Sequence, residues 1–91
     1  MADVVIYTRI LCGYCARAKS LLKSKGAAFQ EIDAGFDVEK RNEMRARSGG
    51  ATTFPQIFIG DRHVGGCDEL VALDRAGELD PLLAGEGGAP A

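Results

Sequence analysis

The stretch DVVIYT (3–8) is a short β-branched and aromatic run and predicts a buried strand. From Gly13 to Lys25 the pattern changes period. Cys15, Ala18, Leu21 and Leu22 recur at helical spacing, with Arg17, Lys19 and Lys23 around them, and Gly26 stands where a helix-ending glycine belongs. AAFQEID (27–33) predicts a second, more polar strand near a sheet edge. Asp37 is placed to cap a helix running to about Arg47, which SGG (48–50) ends; its apolar residues are few, mainly Val38 and Met44. QIFI (56–59) predicts another buried strand, and GD (60–61) turns it into RHV (62–64) as a hairpin. After GG (65–66), a helix from Cys67 to Ala76 turns Leu70, Val71 and Leu73 inward and stops at Gly77.

The predicted order is β-α-β-α-β-β-α, an α/β fold. Its first βαβ unit should be a right-handed crossover between parallel strands, and its hairpin adds antiparallel ones. One four-stranded mixed β-sheet with helices on both faces is the simplest compact arrangement. Ninety-one residues suit one domain, expected over residues 1–83. AGEGGAPA (84–91) carries too little apolar surface to order itself and is expected to be a flexible tail.

Charge and composition narrow the function classes. A formal net charge of −2 gives no basic surface for nucleic acid, and 46% hydrophobic residues is ordinary for a globular chain. No apolar stretch approaches a membrane span, and MADVVIYT lacks the pattern of a secretory signal. A cytoplasmic protein without nucleic-acid or membrane partners is expected. Three cysteines are too few, and odd in number, for a disulfide-stapled secreted scaffold.

Cys12 and Cys15 stand at the join of the first strand and helix. A spacing of three puts their Cβ atoms about 5–6 Å apart, within reach of disulfide geometry after a modest adjustment. Cys12 lies at the helix N-terminus, where free N–H groups and the dipole favour a thiolate. Such positions lower a cysteine pKa from about 8.5 to between about 3.5 and 7.5, and Arg9 adds positive charge nearby. Cys15, one turn on and facing the apolar side, should be less exposed and more protonated. This asymmetry suits attack by Cys12 on an external disulfide and resolution by Cys15. Two other readings compete: a Cys3His zinc set completed by His63 and Cys67, and a purely structural pair. Short paired ligand turns are absent and a reducing cell disfavours the staple, so redox chemistry leads and no metal site is expected.

Two further segments carry chemistry. In TTFPQIFI (52–59), Pro55 removes one ladder donor ahead of a buried strand. A cis Phe54–Pro55 bond would turn the Phe54 backbone outward to pair with an extended peptide, although base rates for X-Pro favour a trans loop proline. In GGCDEL (65–70), the N–H groups of Cys67 and Asp68 are free to hold a carboxylate, and Asp68 can hold an ammonium group or simply complement the helix dipole. Cys67 reads as a small buried hydrophobe, with glutathionylation as the alternative. His63 reads as an exposed hairpin residue without a catalytic partner. The charges of 37–47 form a solvated face, from which Arg41 or Arg45 could reach a substrate carboxylate.

With YTRILCGYC, TTFPQIFI and HVGGCDEL in this order, the chain resembles the dithiol glutaredoxins of the small bacterial type over about residues 4–83. The resemblance implies a thioredoxin fold with a cis Pro55 and a glutathione-dependent thiol–disulfide oxidoreductase. It would reduce protein–glutathione mixed disulfides through Cys12 and protein disulfides through Cys12 and Cys15. The resemblance also implies a glutathione site. Tyr14 borders the sulfur, and Thr53 and Phe54, ahead of Pro55, pair with the glutathione backbone. Gly66, Cys67 and Asp68 surround the γ-glutamyl end, and Arg9 and Arg41 face the glycine carboxylate. The implied partners are glutathione and glutathionylated or disulfide-containing proteins, with the protein itself a monomer.

The sequence departs from that pattern in three places. Gly13 stands where proline is common between the first cysteine and the tyrosine, Arg9 where lysine is usual, and Phe54 where valine is common. Related glutaredoxins with a small residue at the position of Gly13 hold a [2Fe–2S] cluster between two subunits with glutathione. A cluster-bridged dimer is therefore one competing reading, and an electron donor reduced by thioredoxin reductase is another.

Overall fold

In the computed structural model, which describes residues 2–85, four strands and four helices follow in the order β-α-β-α-β-β-α-α. They are β1 (Val4–Thr8), α1 (Gly13–Ser24), β2 (Gln30–Asp33), α2 (Val38–Ser48), β3 (Gln56–Ile59), β4 (Arg62–Gly65), α3 (Cys67–Arg75) and α4 (Leu79–Leu83). The sheet order is β2-β1-β3-β4, with β1 parallel to β2 and antiparallel to β3, and β3 antiparallel to β4. This is the four-stranded mixed sheet expected from the residue pattern, and the thioredoxin-like fold that the resemblance implies. β2 lies at an edge, as its polar composition predicts, but it begins at Gln30, three residues after the start expected from the sequence.

The two central strands are buried because their side chains meet packing on both faces of the sheet. On one face Val4, Ile6, Ile57 and Ile59 join Ala18 and Leu22 of α1, Leu70 of α3, and Leu79, Leu82 and Leu83 of α4. On the other, Tyr7 and Phe58 pack with Ala34 and Met44. The short helix α4 is the element that the sequence pattern did not announce. Five residues are too few for a periodic signal, but all three of its leucines are buried. Ala84 and Gly85, at the start of the expected tail, donate backbone hydrogen bonds to Asp80 and Leu82 and so close α4; the rest of that tail, 86–91, lies outside the described residues.

The helix ends follow local chemistry. Asp37 caps α2 by accepting from the Lys40 amide at 3.1 Å, and Gly49 ends it in the left-handed conformation at φ 74. Met44 is the one buried residue of α2, whereas Val38 is exposed. Polar contacts supplement this thin apolar seam. The buried Tyr7 hydroxyl donates to Glu43 Oε2 at 2.5 Å and accepts from Arg47 Nη1 at 3.1 Å, and the Arg47 guanidinium lies 4.4 Å from the centre of the Phe58 ring. Burial, then the bond to Glu43, pushes the Tyr7 phenol above its ordinary pKa, against the opposing pull of Arg47.

Because Met44 alone anchors the apolar side of α2, Met44→Ala is expected to destabilise the fold by about 2–5 kcal/mol. Urea unfolding followed by far-UV circular dichroism measures this as a lowered midpoint at unchanged slope.

Candidate active site

β1 delivers the chain to the site. After Thr8, residues 9–11 leave the sheet, and Cys12 takes the N-cap of α1 with extended backbone angles, φ −108 and ψ 105. Its Sγ accepts a hydrogen bond from the Cys15 amide at 3.1 Å, and its carbonyl accepts from the Ala16 amide. A side chain that usually caps with oxygen is here replaced by sulfur, which aims the reactive atom at the positive end of the helix. No acidic residue sits in the first turn to neutralise that end. Cys12 and Cys15 are joined as a disulfide with Cα atoms 5.2 Å apart. Cys15 is only 2% exposed, whereas Cys12 is half-buried and reachable, matching the asymmetry expected from the sequence.

Two clefts meet this cysteine pair and its flank. One, of about 550 Å³, is lined by both cysteines with Thr8, Arg9, Lys19 and Glu31 among others. Its wall is held by a polar cluster in which Thr8 Oγ1 donates to Glu31 Oε2 at 2.8 Å and Lys19 Nζ approaches the same oxygen at 3.1 Å. The Thr8 bond, with Lys19 helping and burial opposing, holds the Glu31 carboxyl below its usual pKa.

The second cleft, of about 240 Å³, brings together Tyr14, Thr53, Phe54, Pro55, Gly66, Cys67 and Asp68. Those seven residues come from three distant segments, and each was singled out in the sequence; Glu69, the eighth residue of the lining, was not. The Phe54–Pro55 peptide bond is cis, as the family resemblance implied and the base rate for X-Pro did not. Arg9 lines the larger cleft. Arg41 lines neither: its Nη2 donates to the Gly35 carbonyl while its Nε is buried without a partner. The two arginines nonetheless converge on one turn, because Gly35 also packs on Arg9. A Cβ at Gly35 would fall 2.9 Å from that of Arg9, so only glycine permits the approach.

Two supporting residues escaped the sequence reading. Buried Gln56 donates through Nε2 to both the carbonyl and the hydroxyl of Thr53, each at 3.0 Å. Its Oε1 accepts from His63 Nε2 at 2.6 Å, and the His63 ring stacks on Phe58. Exposed His63 thus braces the Thr53 turn through Gln56, with the proton on Nε2. Glu69 is the other. Its Oε1 accepts from the Gly66 amide at 2.7 Å and fixes the entry to α3. A Cβ at Gly65, where φ is 113, would fall 2.8 Å from that oxygen. The acidic residue three positions after a helix N-cap was the available signal for Glu69. For Gln56 the sequence offered only a polar residue at the start of a buried run.

Cys67 is 3% exposed and belongs to the larger apolar cluster. Burial pushes its thiol pKa up, with Arg17 opposing and Asp68 and Glu69 adding to the rise. Those are the properties of a packed side chain rather than of a nucleophile. Among the described residues, no three His, Cys, Asp or Glu side chains are grouped to hold a metal ion, and no helix is long and apolar enough to cross a membrane.

The sequence model of the family described as Glutaredoxin matches residues 4–64. The chain belongs to the glutaredoxin family. This glutaredoxin is 59% identical over 83 residues to glutaredoxin 3 of Escherichia coli strain K12, an alignment covering 91% of this chain and 99% of that one. It is 58% identical over 84 residues to a glutaredoxin of Pseudomonas aeruginosa, covering 92% and 99% respectively. Among solved structures, a buckwheat glutaredoxin–glutathione complex superposes with a TM-score of 0.82 at 32% identity, over 98% of this chain and 83% of that one. The solution structure of a Brucella melitensis glutaredoxin gives 0.81 at 59% identity, over 100% and 96%.

Two expectations follow for this glutaredoxin. At Gly13, the first helical residue, an added Cβ meets nothing within 4 Å, and the preceding Cys12 already has the extended backbone that proline requires of its neighbour. Gly13→Pro should therefore raise stability by about 0.4–1 kcal/mol, read as a higher urea midpoint. Glu31 has a lowered folded-state pKa, so its ionisation stabilises the fold above the unfolded carboxyl pKa, and that stability is lost as pH falls through the folded value. Glu31→Gln should lower stability at neutral pH and flatten its acid dependence, measured by unfolding over a pH series.

Proposed function

We propose that this glutaredoxin is a glutathione-dependent thiol–disulfide oxidoreductase acting in the cytoplasm. The observation that carries the proposal is the reachable Cys12 sulfur at the α1 N-cap, hydrogen-bonded by the Cys15 amide, with Cys15 buried behind it. The same amide and helix end stabilise the thiolate once the disulfide is reduced.

In the monothiol cycle, the Cys12 thiolate attacks the glutathione sulfur of a protein–glutathione mixed disulfide. The old S–S bond breaks, the protein leaves as a thiolate that takes up a proton, and Cys12 carries the glutathionyl group. The thiolate of a second glutathione attacks that group's sulfur, releasing glutathione disulfide and regenerating the Cys12 thiolate. In the dithiol cycle, Cys12 attacks a protein disulfide to form a mixed disulfide. Cys15 then loses its proton and attacks Cys12 Sγ. The protein departs with both thiols reduced, leaving the Cys12–Cys15 disulfide. Two glutathiones reduce that bond and are themselves oxidised to the disulfide, so electrons balance in both cycles.

The smaller cleft suits the tripeptide. Glutathione has two carboxylates and one ammonium group. The first amides of α3, at Cys67 and Asp68 beyond Gly66, receive the γ-glutamyl carboxylate, and Asp68 receives the ammonium. The backbone of Thr53 and Phe54, turned by Pro55, pairs with the central residue as an added strand would. Tyr14 covers the sulfur, and Arg9 with Arg41 receives the glycine carboxylate. Support for this assignment lies in seven of the expected residues meeting in one cleft, in the two arginines converging on Gly35, and in the resemblance to a glutaredoxin solved with glutathione.

Cys12→Ser is expected to abolish both cycles. Cys15→Ser should retain reduction of glutathione mixed disulfides and lose reduction of protein disulfides. An assay coupling mixed-disulfide reduction to glutathione reductase measures both, and retained turnover without Cys12 would refute the assignment.

A further inference from the structure

Among the described residues, the large hydrophobic side chains left exposed are Ile10, Leu11, Tyr14, Phe36 and Val38. The first three lie within two residues of Cys12. Phe36 follows Gly35, which packs directly on Arg9, so its turn abuts the loop of residues 9–11. Three of these five residues thus flank Cys12 in the chain.

Leu11 is the extreme member. The residue is 96% exposed and its backbone sits at φ 54, in the left-handed region. Both conditions disfavour leucine: its Cβ crowds the backbone there, and its apolar surface gains no burial. Asparagine or glycine would suit the backbone better, and asparagine would also suit the exposure. Nothing inside the described fold rewards a leucine at this position. A residue that breaks two local preferences next to a nucleophile points to a demand from outside the chain.

We infer that Leu11, flanked by Ile10, is the apolar anchor on which a protein partner seats the residue beside its reacting cysteine. It thereby sets selectivity for protein over small-molecule disulfides. The inference rests on the thiol–disulfide reading above. A sulfur bonding to Cys12 must approach its Sγ to about 2 Å, which carries the partner's adjoining residues over this loop. A partner presenting an apolar residue there covers Leu11 and gains its burial. A small-molecule disulfide has no such residue and gains nothing.

The test uses two peptides of equal length and charge, each with one cysteine and supplied as its symmetric disulfide, so that the sulfur bonding to Cys12 is the peptide's own. They differ in the neighbouring residue, leucine in one and serine in the other. The symmetric disulfide of 2-mercaptoethanol serves as the small substrate. The wild type is expected to show about a tenfold higher kcat/KM for the leucine peptide, equivalent to about 1.4 kcal/mol. Leu11→Asn should bring that ratio near one, while Leu11→Met should keep it. The unfolding midpoint of Leu11→Asn should equal or exceed that of the wild type, separating lost recognition from lost folding. A wild-type ratio near one, or an unchanged ratio in Leu11→Asn, overturns the inference and leaves the functional reading standing. So does concentration-dependent dimerisation of the wild type that Leu11→Asn abolishes, because a second copy would then be the occupant. Absence of wild-type turnover on all three substrates overturns the functional reading itself, and the inference with it.

Discussion

The hydrogen bond from the Cys15 amide to Cys12 Sγ requires one sulfur to occupy the N-cap of a helix, and much of the surrounding structure serves that requirement. A helix end is a useful electrostatic environment only if it stays in place, because the field of the terminal amides falls off within the first turn. α1 is held by Ala18 and Leu22 buried against the sheet, and by Lys25 at its far end. The Lys25 ammonium lies 2.6 Å from Asp74 Oδ1 and 3.1 Å from Asp80 Oδ1, tying the end of α1 to α3 and α4. Cys12 is therefore positioned by packing and ion pairs that never touch it.

The two faces of the sheet are held differently. α1, α3 and α4 share a broad apolar cluster, so that face is secured by burial. α2 contributes only Met44 and relies on Glu43 and Arg47 around the Tyr7 hydroxyl and the Phe58 ring. Both arrangements bear on the site. The first carries α1 and the start of α3, whereas the second fixes the helix whose preceding turn meets Arg9 and Arg41.

The smaller cleft shows how polar side chains shape a backbone surface. Thr53 is held from behind by Gln56, and Gly66 is held by Glu69, so two loops that offer amides and carbonyls outward are braced inward by amide and carboxylate groups. Glycine at 65 answers both a conformational and a steric demand, whereas at Gly66 the space is merely tight. A side chain at Gly65 would collide with Glu69, and one at Gly66 would crowd Glu69 and the Pro55 carbonyl. The cleft thus sets bare glycine backbone at its α3 end against the Tyr14 and Phe54 side chains.

The strands, three of the four helices and the placement of Cys12 and Cys15 at the start of α1 were legible along the chain because each rests on local information. Period-two and period-3.6 patterns report burial of a face, and a cysteine before a helix reports its own electrostatic position. The Asp37 cap and the Gly26 and Gly49 stops are equally local. Other features depended on residues far apart in sequence. The five residues of α4 are helical because their leucines find the core, and five residues carry no period. Gln56, His63 and Glu69 serve the cleft through partners whose positions only the folded chain sets. The meeting of Arg9 and Arg41 at Gly35, and the exposure of Leu11 in a left-handed conformation, arise the same way. Sequence pattern determines which faces must be hidden; the close packing of those faces then decides which polar groups meet, since distance between side chains is a property of the assembled layers alone.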